Sequence, residues 1–177
     1  MMTALEKEYG DALFSLAQEE SCLDPVLEGL TLAVDAFREN PGYLSLVQNP
    51  ALTKEERLDL LDKAFHGVHV YVLHLLKLLC RRSALGLLPG ALEQYKVLLY
   101  AQRGILPVEA VSAVPLTEEQ RQALTDRLSA KTGKTILLEN TLDPALLGGV
   151  KLRYEGKELD GTAAGRLSAL RRSLTQA

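Results

Sequence analysis

At Gly104 the spacing of apolar residues changes, and this constrains the fold more than any other feature of the chain. Before it, apolar side chains recur every three to four residues, the period of a helix with one buried face. After it they alternate in short runs, the period of a half-buried strand. The 177 residues suffice for one ordinary domain or two small ones. The two periods predict two: an N-terminal all-α six-helix bundle over 1–104 and a small α+β domain over 105–177, in the order β-α-β-β-β-α. Aromatic residues are 5% of the chain and Trp is absent. The core is therefore expected to be Leu, Val and Ala, which favours helices.

Within the first domain the helix starts are legible. Thr3 with Glu6 and Thr53 with Glu56 have the spacing of capping boxes. The first predicted helix, 3–20, carries Leu5, Tyr9, Ala12, Leu13 and Leu16 on one face, and Phe14 and Ala17 widen that stripe. A second helix opens at Asp24-Pro25, cap then proline, carries Val26, Leu27, Leu30, Val34 and Phe37, and stops at Asn40-Pro41-Gly42. A short segment, 43–47, precedes a helix from Thr53 to about His66. Gly67 breaks the pattern. Residues 68–83 form the most apolar helix, centred on Val72, Leu75, Leu76 and Leu79. Gly86 and Pro89 bound a distorted start to the last helix, which carries Leu92, Tyr95 and Leu99 and ends at Gly104.

In the second domain a strand over 105–114 ends at Pro115. Thr117 and Gln120 open a helix to about Lys131, with Leu124 and Leu128 on its face, and a strand follows over 135–139. Val150, Leu152 and Tyr154 alternate with Lys151, Arg153 and Glu155, so one face of that strand is buried. Glu155-Gly156 supplies a turn, and Leu159 is expected back on the apolar face. Gly148-Gly149 permits a bulge or a close backbone approach. Asp160 or Thr162 is placed to cap a last helix in which Leu167, Leu170 and Leu174 recur.

Several function classes are disfavoured. A net charge of −3 lacks the basic field a nucleic-acid binder needs. Cys22 and Cys80 are far apart, without a Cys-x-x-Cys pair, and read as free thiols. No apolar run reaches the roughly 18 residues of a spanning helix, so no direct membrane insertion is expected. Residues 1–8 have neither the basic start nor the apolar segment of a signal or transit peptide. Gly133-Lys134-Thr135 resembles the tail of a phosphate-binding loop, but Leu128 stands where the loop needs its earlier glycine, and the order is helix then strand. Asp62, His66 and His69 fall at helical spacing without a fourth ligand nearby. Arg81-Arg82 beside Cys80 read as solvated helix-end charges rather than a thiolate-activating pair. No catalytic, cofactor-binding or metal-ligating residue is assigned, and the protein is not expected to be an enzyme.

Three stretches carry a resemblance. Residues 9–17 (Tyr-Gly-Asp-Ala-Leu-Phe-Ser-Leu-Ala) look like the first-helix pattern of the delta subunit of F-type ATP synthases, which is similar to the mitochondrial oligomycin-sensitivity-conferring protein. Residues 111–117 (Val-Ser-Ala-Val-Pro-Leu-Thr) resemble that family's strand-to-helix junction. Residues 143–150 (Asp-Pro-Ala-Leu-Leu-Gly-Gly-Val), with Leu159-Asp160-Gly161-Thr162, resemble its C-terminal signature. Thr162 stands where the family usually has Ser, which keeps a hydroxyl, and Ala84 stands where an Arg usually precedes the Leu at 85.

The resemblance implies a non-catalytic stator connector without cofactors. It links the catalytic head to the peripheral stalk, so that rotor torque is resisted during ATP synthesis coupled to ion transport. The bundle would receive alpha-subunit N-termini in an apolar groove between its first and fifth helices, and the second domain would meet subunit b. The expected groove residues are Tyr9, Ala12 and Leu13 on the first helix and Leu75, Leu78 and Leu79 on the fifth. Tyr9 and Ala12 match the family's motif, whereas the leucines rest on spacing. Peripheral attachment at the cytoplasmic face of the cell membrane, through the complex, follows. The alternative is a helical adaptor unrelated to the synthase, and a small enzyme with an unrecognised site is a third reading.

Overall fold

Threonine side chains set three helix starts. Thr3, Thr53 and Thr117 each accept a hydrogen bond from the backbone N–H three residues on, and the side chains of Glu6, Glu56 and Gln120 in turn accept one from the backbone N–H groups of the three caps. Glu6 and Glu56 titrate below the usual carboxylate range, first because these backbone N–H groups bind the charged form. A computed structural model describes residues 2–146 and 148–162. The expected last helix lies outside the described residues.

The helices are α1 (Ala4–Glu19), α2 (Leu23–Glu39), α3 (Pro41–Val47), α4 (Lys54–Ala64), α5 (Val70–Arg81), a 3₁₀ turn (Leu85–Leu87) and α6 (Leu88–Arg103). Two boundaries differ from the sequence reading for local reasons. α2 begins at Leu23 rather than at an Asp24 cap. Ser21 takes φ +54° and the Cys22 N–H reaches the Ala17 carbonyl at 2.9 Å, so the chain turns directly from α1 into α2. α5 begins at Val70 rather than Val68 because the His69 ring accepts from the Tyr71 N–H at 3.4 Å and caps the helix. Pro41 both ends α2 and opens α3.

The bundle core is Leu and Val, as expected, but the few aromatics are concentrated there too. Phe14 and Tyr95 meet edge to face at 5.6 Å, and Phe37, Tyr43 and Phe65 form a second group. Tyr95 is fully buried and donates its hydroxyl to the Leu23 carbonyl at 2.9 Å. Val26, Leu30, Leu61, Val72, Leu76 and Leu99 are also fully buried. Each such side chain contributes about 1.5–3 kcal/mol. α1 and α6 approach through glycine: a Cβ on Gly10 would lie 2.6 Å from the Gln94 Cβ, and one on Gly90 would strike Glu6.

The chain divides into two compact units between Leu99 and Tyr100, inside α6. Gly104, at φ +63°, ends α6 five residues after that division. The second unit contains β1 (Ile105–Ser112), α7 (Glu118–Thr132), β2 (Thr135–Leu142), β3 (Val150–Tyr154) and β4 (Lys157–Asp160). The sheet order is β2-β1-β3-β4. β1 and β2 are parallel, joined through α7, and the other pairs are antiparallel.

Leu106, Val108, Ala110, Leu128, Ile136 and Leu138 form the second core, with Val150, Leu152 and Tyr154 packed against it. Tyr154 and Lys157 pair across a two-residue turn in which Glu155 (φ +48°) and Gly156 (φ +71°) both take the left-handed conformation. Leu159 does not return to the core. It lies on edge strand β4, 44% exposed, while α7 packs on β2 at the opposite edge.

Candidate functional site

α1 and α5 pack side by side and leave one seam open. On α1 the seam is lined by Tyr9, Ala12, Leu13 and Leu16; on α5 by Tyr71, His74, Leu75 and Leu78. Each row has the spacing i, i+3, i+4, i+7, which places four side chains along one helical stripe. The groove they enclose holds about 200 Å³. Leu13 and Leu75, 6% and 7% exposed, form its floor, while Leu16 and Leu78, 37% and 39% exposed, form its ridges. α5 can line the groove because its other face, Val72, Leu76 and Leu79, already fills the core.

Five of the six residues expected in this groove line it: Tyr9, Ala12, Leu13, Leu75 and Leu78. Leu79 does not. It is fully buried in the core, because a step of one residue turns it about 100° away from Leu78. Sequence reasoning did not select Leu16, Tyr71 and His74. Leu16 was visible as part of the stripe on α1, but nothing in the apolar run of α5 singled out Tyr71 or His74 as lining residues.

The groove has distinct ends. At one, the Tyr9 hydroxyl accepts from Arg82 Nη1 at 3.0 Å. At the other, Tyr71 is raised above the ordinary tyrosine range, by partial burial first and then by the Glu20 carboxylate and the Cys22 thiol.

Two further clusters lie in the second unit. Asn140 Nδ2 donates to the Ala110 carbonyl and to Ser112 Oγ, both at 2.8 Å, and its Oδ1 accepts from the Leu116 N–H at 3.0 Å. Ser112, 2% exposed, donates in turn to the Val114 carbonyl at 2.7 Å. This network shapes the junction from β1 towards α7. The second cluster brings together Gly149, at φ +88°, and residues 160–162. A Cβ on Gly149 would lie 2.6 Å from the Gly161 carbonyl oxygen, and the Gly161 N–H donates to the Val150 carbonyl. Asp160 Oδ1 accepts from the Thr162 N–H and hydroxyl, which hold the carboxyl below its usual range.

The other conspicuous residues have structural partners. Asp62 pairs with Lys77 at 2.6 Å, His66 lies against the Lys63 carbonyl, and His69 caps α5. Among the described residues no cluster of three or more His, Cys, Asp or Glu is placed to hold a metal ion. Gly133, at φ +69°, is the C-cap of α7, and Lys134 pairs with Glu155 at 2.6 Å, so this segment is a turn between helix and strand. Cys22 and Cys80 are free. Among the described residues no helix is long and apolar enough to cross a membrane.

Comparison with known proteins gives one consistent result. The sequence model of the family described as ATP synthase delta (OSCP) subunit matches residues 5–174. An ATP synthase subunit delta of Geobacillus sp. (strain WCH70) is 38% identical over 171 residues, covering 96% of each chain. One of Anaeromyxobacter dehalogenans (strain 2CP-C) is 34% identical over 178 residues, covering 99% of each. Among solved structures, a chain in the mitochondrial ATP synthase hexamer of Toxoplasma gondii shares the fold, with a TM-score of 0.77, 20% identity and 98% of each chain covered.

Proposed function

The chain belongs to the ATP synthase delta (OSCP) subunit family, and on that premise we propose that it is a non-catalytic connector in the stator of an F-type ATP synthase. Its first unit receives an N-terminal helix of the alpha subunit in the groove between α1 and α5. Its second unit meets subunit b of the peripheral stalk. Together they resist the torque of the rotor, and the protein is held at the membrane through the complex, on the cytoplasmic side. The observation that carries this reading is the open seam itself. Two matched i, i+3, i+4, i+7 rows border an apolar trough, the geometry that receives the apolar face of an amphipathic helix.

The bound groove uses Tyr9, Ala12, Leu13, Leu75 and Leu78, joined by Leu16, Tyr71 and His74. Leu79 acts indirectly, by supporting the wall from inside. Ala12 is the most direct probe because it is exposed and small. Calorimetric titration with a synthetic peptide of the cognate alpha-subunit N-terminus should show one-to-one binding. Ala12→Asp should weaken it at least about fivefold, since even a neutral polar group left unpaired in an apolar interface costs about 1–3 kcal/mol and a carboxylate costs more. A folded wild-type chain that binds no peptide would refute the assignment. Copurification with alpha and b subunits from native membranes separates it from an adaptor unrelated to the synthase.

A further inference from the structure

The groove has electrical polarity as well as shape. Tyr9 lies towards the start of α1 and is hydrogen-bonded to Arg82, which follows α5. Tyr71, in the first turn of α5, interacts with Glu20, which follows α1. The two walls therefore run antiparallel, and their helix dipoles oppose one another. Side-chain charge decides the field along the trough. Arg81 and Arg82 are exposed at one end, and Glu19 and Glu20 are exposed at the other. Among the described residues, none of these four has a charged partner within ion-pair distance in the bundle.

We propose that Arg82 sets the direction of the docked helix, which lies with its C-terminal turn against Arg82 and Tyr9 and its N-terminal turn against Leu16 and Glu20. This rests on the groove being the docking site. A helix ends in carbonyls without intrahelical donors, and it carries partial negative charge there. Arg82 uses Nη1 on the Tyr9 hydroxyl. A guanidinium has five N–H donors, so others remain for last-turn carbonyls or for a carboxylate in that turn. The bond to Tyr9 holds the guanidinium at the mouth of the trough, which lowers the entropy lost when it engages a second acceptor. At the opposite end Glu19 and Glu20 face the positive end of the docked helix. The occupant is thus an amphipathic helix lying parallel to α5 and antiparallel to α1.

The test uses the full chain with a peptide of the cognate alpha-subunit N-terminus, carrying a nitroxide at its first or its last residue. The expected result is that the N-terminal label broadens amide resonances around Leu16 and Tyr71, and the C-terminal label those around Tyr9 and Leu78. Arg82→Gln should raise Kd roughly two- to five-fold, the scale of one charge at a helix end, and each label should then broaden both ends. Arg82→Lys should restore the single pattern, and Tyr9→Phe, which leaves the charge, should retain it. The reversed pattern in the wild type would overturn the proposal while leaving the groove intact. A wild-type pattern unchanged in Arg82→Gln would also overturn it. A peptide that binds but broadens neither end of the groove, or that does not bind, would refute the docking site itself, and this proposal with it.

Discussion

Asn140 on β2 donates to Ser112 Oγ on β1 at 2.8 Å, across a parallel strand pair and 28 residues of sequence. The same amide accepts the Leu116 N–H, so one side chain holds both the end of β1 and the approach to α7. Asn140→Leu fills similar volume but leaves the Ser112 hydroxyl without a donor and the Leu116 N–H without an acceptor. Each stranded group costs about 1–3 kcal/mol. Denaturant unfolding should show a loss within that range or above it, and a variant as stable as wild type would mean that water replaces the amide.

Gly10 and Gly149 are required by close approach rather than by flexibility alone. Gly10→Ala would ordinarily stabilise a helix by about 1 kcal/mol. Here the added Cβ meets Gln94 and the Ala91 carbonyl, so the substitution should destabilise the bundle. Gly149→Ala combines a left-handed φ with contact against the Gly161 carbonyl. It should cost more than Gly148→Ala, whose Cβ at φ +111° meets nothing within 4 Å among the described residues. Thermal melts of the three variants give the order, and equal effects at 148 and 149 would show that backbone strain alone matters.

Ser21 (φ +54°) and Ser83 (φ +53°) take the left-handed position that closes α1 and α5. The Cys22 and Ala84 N–H groups then reach back to the Ala17 and Leu79 carbonyls. Glycine adopts this conformation without the Cβ penalty of about 1–2 kcal/mol. Ser83→Gly should therefore raise the midpoint of denaturation, by an amount equivalent to about 0.5–1 kcal/mol after the entropy of the unfolded chain is counted. Ser83→Val should lower it.

The thiols should react in two steps. Cys80 is 3% exposed, and burial pushes its pKa up, against a smaller opposing effect of Arg57 and Arg81. Cys22 is only partly buried. An aromatic disulfide reagent under native conditions should modify one thiol per chain readily and the second only on unfolding. Mass mapping should place the first at Cys22, and rapid labelling of Cys80 would reveal local opening of α5.

Acid should weaken the second unit. Hydrogen bonds from Arg153 and Lys151 lower the Glu158 pKa, and those from Thr162 lower that of Asp160. A carboxyl depressed in the folded state contributes stability above its unfolded pKa, near 4 for these side chains. That contribution disappears as pH falls through the lower folded value. Unfolding monitored from pH 7 to 3 should be insensitive to these groups down to about pH 5 and then decline. Arg153→Met should make the decline shallower by releasing one of Glu158's partners. An unchanged acid limb would remove Arg153 from the account.

The short-range features follow from adjacent residues. The capping boxes at Thr3, Thr53 and Thr117, the stop at Gly104 and the turn at Glu155-Gly156 were all legible in sequence, because each depends on groups within a few residues. The change of apolar period near Gly104 separated a helical part from an α/β part for the same reason. Helical spacing also assembled the stripe on α1 that became half of the groove.

What the sequence did not determine was which part of a stripe the chain would cover itself. Leu78 and Leu79 are neighbours of identical chemistry, yet one is 39% exposed in the groove and the other is fully buried. The choice depends on where α1 and the core come to rest against α5, and no periodicity within α5 contains that information. The Tyr9–Arg82 bond spans 73 residues, and the Asp11–Gln94 bond beside the Gly10 approach spans 83. Local free energies select helices, strands and turns, whereas long-range packing selects which faces remain open, and the candidate site is one of those open faces.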